Sequence, residues 1–494
     1  MEISRFSFEK TACVLLGAVF GIILIILPIK MSILAVFGSI ITVIILIRTE
    51  VGLLLTIAAF PFEIAGNFNL AGANTAFQTI SVVKILGVIT ALSWLIHLSK
   101  KRYKIVISPQ LFVIIGLILT GIISIYFGTY HGEFYVKKAM KYLSMYIIYF
   151  AIFFMMINII KSKALIQNII FVLIFIAAIS SLYSVVQRVV PRFRVEIKTK
   201  EDDYYRSHGA IVDPTEMTTI GFMVIRTSSI MAHPDGFALF LALTIPLTLY
   251  RFELSRDGPP KIGWFLILIM QFIGLTLTFC RGGTYTVFII MMLMVIKRVI
   301  KPSWEKIFIV IAAFAMLSIL VLNSKTALNR LFDPGHVVKA YSFHGRLDLI
   351  RAGVKMFIGN NWLFGIGMGN YDYNLPLYSN IPFTYEPTNE YTRILSEMGL
   401  LGVFFSLALY LLTYTNFKAA EKRFKKYNEL QMYYLTITLH ACFFGFLFYG
   451  LTQVTLTRKE LPIVMALAFV LKQLSNKLGA IKSKKPEILK LDTS

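Results

Sequence analysis

Apolar runs of about 17–25 residues, the length a helix needs to cross a bilayer, recur from one end of the chain to the other. In lipid only helices and closed barrels satisfy every backbone group, and long uninterrupted runs read as helices. The runs predict spans near 11–29, 31–47, 51–62, 79–98, 108–127, 142–160, 164–187, 234–250, 262–279, 282–296, 305–323, 397–416, 430–450 and 460–474. The third is short, ends at Pro61 and reads equally as a re-entrant segment. A charged start, Met1 to Lys10, precedes the first run, which carries no small-residue cleavage site and reads as an uncleaved span. The expectation is an all-α integral membrane protein of about 14 transmembrane helices. It forms one polytopic domain over 1–494, with no Pro/Gly/Ser-rich linker.

Composition agrees, with 57% hydrophobic and 15% charged residues. Charge adds sidedness, because Lys and Arg gather in short cytoplasmic loops. Lys100 to Lys104, Lys161/Lys163, Arg251/Arg256/Lys261, Lys297 to Lys306, Lys418 to Lys426 and the basic tail 475–494 all fall on one side of the alternating count. That side is read as cytoplasmic and holds both termini. Two long segments are then external, 188–233 and 324–396. Both are basic, which long loops are free to be, and this points to a phosphate or carboxylate ligand or to lipid headgroups. Nucleic acid is excluded as a partner by the external placement of the long basic loops. Cys13, Cys280 and Cys442 lie in or beside apolar runs and form no disulfide framework.

Candidate chemistry concentrates on the external side. Residues 345–358 have helical period, with Leu347, Ile350, Val354, Phe357 and Ile358 on one face and Asp348, Arg351 and Lys355 opposite. This is an amphipathic surface helix in the longer loop. Arg346 stands at the edge of its apolar face, and Asp348/Arg351 reads as a solvated pair. The Gly-rich stretch 363–369 lacks the spacing of a dinucleotide fingerprint and reads as a tight turn with close backbone approach. Pro387 and Thr388 read as a helix start, with Asn389 and Glu390 in its first turn, then Arg393 and Glu397. Such charges at a span mouth are costly without a role, although a polar loop meeting a helix at headgroup level is the commoner case. Arg281 sits in a very short outer hairpin, where snorkelling and function weigh about evenly. Arg226 precedes His233-Pro234-Asp235 at the start of the eighth span. His233 reads equally as a cap or a base, the other histidines lack metal-ligand spacing, and Asp202-Asp203 reads as solvent-facing.

Four stretches together resemble the O-antigen ligase and O-antigen polymerase superfamily of bacterial envelope glycosyltransferases. They are Arg226 with His233-Pro234-Asp235, Arg281-Gly282-Gly283, Gly345-Arg346 with the Gly365/Gly367 turn, and Pro387 to Tyr391 with Glu397 to Gly402. The resemblance implies a GT-C-like, multi-pass enzyme of the bacterial plasma membrane. Its donor would be an undecaprenyl-pyrophosphate-linked oligosaccharide, used on the outer face without cofactor or metal. Membrane lipids, and a chain-length regulator protein, are its expected further partners. Arg226, Arg281, Arg346 and Arg393 would hold the pyrophosphate. The catalytic set would be Glu386, Thr388, Asn389 and Glu390. The family's histidine falls at Thr388, and threonine is no general base near neutral pH. Asp235 and Cys280 replace the family's Asn and Ser. Glu386, Glu390 or His344 is left to take the acceptor proton, unless little base help is needed or this member is impaired. Glu386 is preferred, and Glu390 suits a pair with Arg393. The expected reaction is polymerisation of surface-polysaccharide repeats. Transfer to a lipid core by a ligase is the alternative, and a transporter of lipid-linked oligosaccharide is the rival from another class.

Overall fold

A backbone in lipid cannot turn to water, so the apolar runs close their hydrogen bonds within themselves as helices. The computed structural model describes residues 29–62, 67–69, 79–101, 104–128, 130, 132–190, 216–219, 222–225, 227–231, 233–300, 343–379 and 387–491. The expected spans at 11–29 (apart from its last residue) and 305–323, most of the two long external segments, Arg226 and Glu386 lie outside the described residues. The helices are α1 (Ile29–Ile47), α2 (Thr49–Ala58), α3 (Val82–Ser99), α4 (Pro109–Phe127), α5 (Glu133–Ile159), α6 (Lys163–Val189) and α7 (Pro234–Leu254). They continue as α8 (Pro259–Leu277), α9 (Arg281–Ile296), α10 (Phe343–Ile358), α11 (Tyr371–Tyr378), α12 (Glu390–Lys426), α13 (Leu430–Tyr449) and α14 (Glu460–Leu491). The only strands among the described residues form two antiparallel ribbons, Asn67–Asn69 with Thr79–Ser81 and Glu216–Thr219 with Phe222–Ile225.

Among the described residues, 9 helices are long and apolar enough to cross a membrane, namely α3 to α8 and α12 to α14. The chain is therefore an all-α, multi-pass integral membrane protein. The short third run is α2, about 15 Å long by helical rise and so half a bilayer, followed by a 3-10 turn at Phe60–Phe62. Faces are assigned by period. On α4, Phe112, Ile115, Leu119 and Ile122 are exposed as a lipid-facing stripe, while Gln110, Ile114, Leu117, Gly121 and Ser124 are buried. α7 is buried nearly all round and forms the centre of the bundle. Three helices outrun the apolar runs that predict them. α5 starts at Glu133, α12 at Glu390, and α14 continues to Leu491. A hydropathy run stops at the first charge, whereas a helix continues wherever its charges find water or a partner.

The ends of the bundle separate by hydrogen bonds. At one end Val106 N donates to Asn158 Oδ1 (2.7 Å), Arg251 Nη2 to Gln167 O (3.2 Å), and Lys163 Nζ reaches Glu429 (2.7 Å). These bonds join the α3–α4, α5–α6, α7–α8 and α12–α13 connections, the ones rich in Lys and Arg. At the other end Thr227 N donates to Leu277 O (3.1 Å) and Glu390 N to Gly450 O (2.8 Å). There the N-termini of α7, α9, α12 and α14 gather.

Candidate functional site

The head of α12 differs from its sequence reading by one step. The N-cap is Asn389, not Pro387 or Thr388: Asn389 Oδ1 accepts from Thr392 N (2.9 Å), and the helix starts at Glu390. Asn389 Nδ2 donates to Leu451 O (3.0 Å), so the whole carboxamide is engaged. Thr388 is half-buried beside Leu349, Tyr371 and Thr392. Further on, α12 breaks at Gly399, where φ is 63° and ψ −161°. The 362–367 stretch fills the break. Ile366 N donates to Ser396 O (2.9 Å), Gly367 N to Glu397 O (3.2 Å) and Leu400 N to Trp362 O (3.0 Å). A Cβ on Gly399 would stand 2.5 Å from Leu363 backbone atoms, and one on Gly365 2.5 Å from those of Ser396 and Glu397. Both glycines also have positive φ. The Gly-rich stretch is thus the tight turn with close backbone approach that its residues suggest, and it clamps the kink of α12.

Between cap and kink lies a buried ionic ladder. Arg393 Nη2 donates to Glu390 Oε1 (2.9 Å) and Tyr146 OH (3.0 Å), and Nη1 lies 3.9 Å from Glu397 Oε2. The other oxygen of Glu390 accepts from Thr455 N (2.6 Å) and Leu456 N (3.2 Å). α5 supports this ladder from one face at i, i+4 spacing. Tyr142 lies under the Arg393 guanidinium, 5.6 Å away, and Lys138 pairs with Asp372 at 2.8 Å, both buried. Two sequence assignments change here. Arg393, expected as a pyrophosphate ligand, is 2% exposed and its Nη groups are turned to protein partners. Glu390, named among catalytic candidates, is 0% exposed with both oxygens hydrogen-bonded inside the protein, so it does not face a substrate. Its pairing with Arg393 is the one that helical spacing suggests. Lys138 escaped sequence reading because the predicted span began at 142.

The connection between α13 and α14, residues 450–459, ties this ladder to a second cluster. One side of it caps α12 through Gly450, Leu451, Thr455 and Leu456. Its other side meets α7 and α9. Gln453 Nε2 donates to Asp235 Oδ2 (2.8 Å), and Tyr449 OH donates to Asp235 O (2.9 Å) and lies 3.5 Å from Cys280 Sγ. His233 is the N-cap of α7, its Nδ1 accepting from Asp235 N (3.1 Å), which favours the cap over the base. Cys280 is the N-cap of α9, accepting from Gly283 N (3.4 Å). Arg281 follows it and is exposed. Arg458 lies over the first turn of α7, where a Cβ on Gly236 would stand 3.0 Å from its Nη1. Among the described residues neither Arg281 nor Arg458 has an ion pair or side-chain hydrogen bond. The sequence signal for Arg458 is the one used for Arg281, a cation in a short outer connection. Tyr449 and Gln453 carry no such signal.

α10 packs on the same region with a rotated face. Leu349, Ala352 and Met356 are buried against Ile366, Tyr371 and Leu375, and a Cβ on Gly353 would stand 2.2 Å from Thr392. Val354 and Ile358, expected on the apolar face, are exposed. The helix therefore has one apolar side for the protein and another left open. Arg346 is half-buried and shares a face with Leu349 and Gly353 by spacing, so it lies at the α12 side. Asp348 and Arg351 form the exposed pair expected of them (3.3 Å). Among the described residues no group of His, Cys, Asp or Glu is placed to hold a metal ion.

Residues 265–407 match the family model described as O-antigen ligase. The matched region runs from within α8 through Arg281, Arg346 and the α12 head, covers less than a third of the chain, and is similar to that family there. No curated protein matches the chain.

Proposed function

We propose that this protein polymerises undecaprenyl-pyrophosphate-linked oligosaccharide repeats of a surface polysaccharide on the outer face of the bacterial plasma membrane. The observation that carries this reading is the 450–459 connection. It brings the capped, ion-braced head of α12 to the same polar end of the bundle as Arg281 and Arg458, which are unpaired among the described residues. That end is taken as external because the short basic loops gather at the other, with both termini then cytoplasmic.

In the reaction the acceptor hydroxyl oxygen bonds to the donor's anomeric carbon, the bond from that carbon to the pyrophosphate oxygen breaks, and the hydroxyl proton goes to a base. Charge develops on the leaving pyrophosphate. Guanidinium groups fixed where that charge appears, on a site walled by apolar helices, stabilise it without reorganising. Arg281 and Arg458 are available for this, and the resemblance adds Arg346, at the α12 side, and Arg226, which lies outside the described residues. Arg393 acts one step back, holding the α12 head through Glu390. With Glu390 buried and hydrogen-bonded within the protein, Glu386 remains the preferred base, and Thr388 positions rather than accepts a proton. Glu386→Gln is expected to lower the rate by about 10²–10⁴-fold, the usual value of general-base help, and Thr388→Ala by less.

The test uses purified protein and lipid-linked repeat, with and without a lipid-core acceptor. Polymer without the core acceptor supports the polymerase. Product only when the core is supplied would make the protein a ligase, and no product in either case would remove the transferase reading.

A further inference from the structure

The opposite end of the bundle holds a second built site that the transferase chemistry does not use. A cavity of about 180 Å³ lies between α9, α12 and α13 and is lined by Lys297, Lys418, Glu421 and His440 together with Leu293 and Phe444. His440 is 6% exposed, and its ring stacks between Phe417 and Phe444 at 5.1 and 5.0 Å. Its Nδ1 is hydrogen-bonded to Glu421. Its Nε2 is buried and has no hydrogen-bond partner among the described residues. In the neutral ring, donation from Nδ1–H to the carboxylate leaves Nε2 as an acceptor, and an acceptor buried without a donor is costly. Lys297 and Lys418 are exposed cations at the rim, Lys418 lying 5.7 Å above the Tyr414 ring.

We propose that this cavity binds the headgroup of an aminophospholipid of the phosphoethanolamine type. Such a headgroup carries both signs in one short unit. Its phosphate meets the two lysines, and its ammonium donates to His440 Nε2 and Glu421 among aromatic faces that favour a cation. A purely anionic headgroup leaves its phosphate against the Glu421 carboxylate and a lone pair. A choline headgroup has no N–H to give. The lipid source follows from the surroundings: Met292, Ile296, Leu411 and Phe444 on the flanking helices are exposed apolar side chains suited to acyl chains. Lys297 caps the end of α9 and Lys418 opens the basic run of α12, so the headgroup sits at interface level, on the cytoplasmic side by the basic-loop argument.

The experiment adds phosphatidylethanolamine, phosphatidylglycerol, phosphatidylcholine or inorganic phosphate to full-length purified protein in detergent. Native mass spectrometry reads retained lipid, and the thermal midpoint is read in parallel. The wild type is expected to retain phosphatidylethanolamine about tenfold better than the other lipids, a difference near 1.4 kcal/mol. His440→Phe, which keeps the stacked ring, and the surface double variant Lys297→Gln/Lys418→Gln are each expected to abolish that preference. Arg281→Ala at the far end should keep it. Equal retention of all three lipids, an equal midpoint shift with inorganic phosphate, or unchanged preference in the lysine variant overturns the proposal.

Discussion

Arg393 and Arg281 stand at the same end of the bundle and both occur in the matched region, yet they live under opposite conditions. Arg393 is enclosed by α5, α12 and the 450–459 connection, with Glu390, Tyr146 and the more distant Glu397 around it. Arg281 is exposed at the N-terminus of α9, and neither it nor Arg458 has an ion pair among the described residues. A buried guanidinium must be neutralised by the protein itself, since its desolvation cost is met only by a partner that is always present. An exposed one at a membrane interface keeps its charge in water and can give it to a ligand. The comparison divides the arginines into a buried brace and the proposed clamps, although in sequence both are cations next to apolar runs.

The comparison breaks most visibly at Glu390. Glu390→Ala strands Arg393 without its closest acid and is expected to cost about 3–5 kcal/mol, the usual penalty for orphaning a buried ion. The measurement is folded yield and thermal midpoint. A variant as stable as wild type would show that the ladder is no brace. Next comes Arg281→Ala, expected to leave stability within about 0.5 kcal/mol as a surface change while lowering polymer formation by roughly 10²–10³-fold, the loss typical of one charge-stabilising donor. Lys at 281 should rescue poorly because it lacks the planar fork. Comparable activity and stability losses in both variants would erase the division.

Arg458→Ala sharpens it further. A fall of about tenfold or more at unchanged stability would enrol Arg458 with Arg281, and an Arg281→Ala/Arg458→Ala double variant should fall short of the summed losses if both hold one pyrophosphate. Normal polymer from Arg458→Ala removes it from the clamp. The smallest effect is expected at the exposed Asp348/Arg351 pair of α10. Arg351→Ala should change stability by no more than about 0.5 kcal/mol and leave polymer formation intact. A large loss there would mean that this face of α10 meets a partner.

What the sequence determined by itself is what depends on local composition and spacing. Apolar run length set the helical spans, because lipid permits nothing else for such stretches. Loop charge separated the two ends, the Gly-rich stretch 363–369 marked a close backbone approach, and i, i+3 spacing paired Arg393 with Glu390. The tertiary structure decided everything that depends on which distant groups share a volume. Lys138 became a buried ion only because Asp372 arrived from far along the chain. Glu390 lost its candidacy as a base when Thr455 and Leu456 gave it their backbone N–H groups. Asn389, not Thr388, became the cap, with Leu451 fixing its amide. Arg458 came to lie over the first turn of α7, more than two hundred residues away in the chain. Desolvation and hydrogen-bond saturation are properties of an enclosure, and no enclosure is written in a linear spacing.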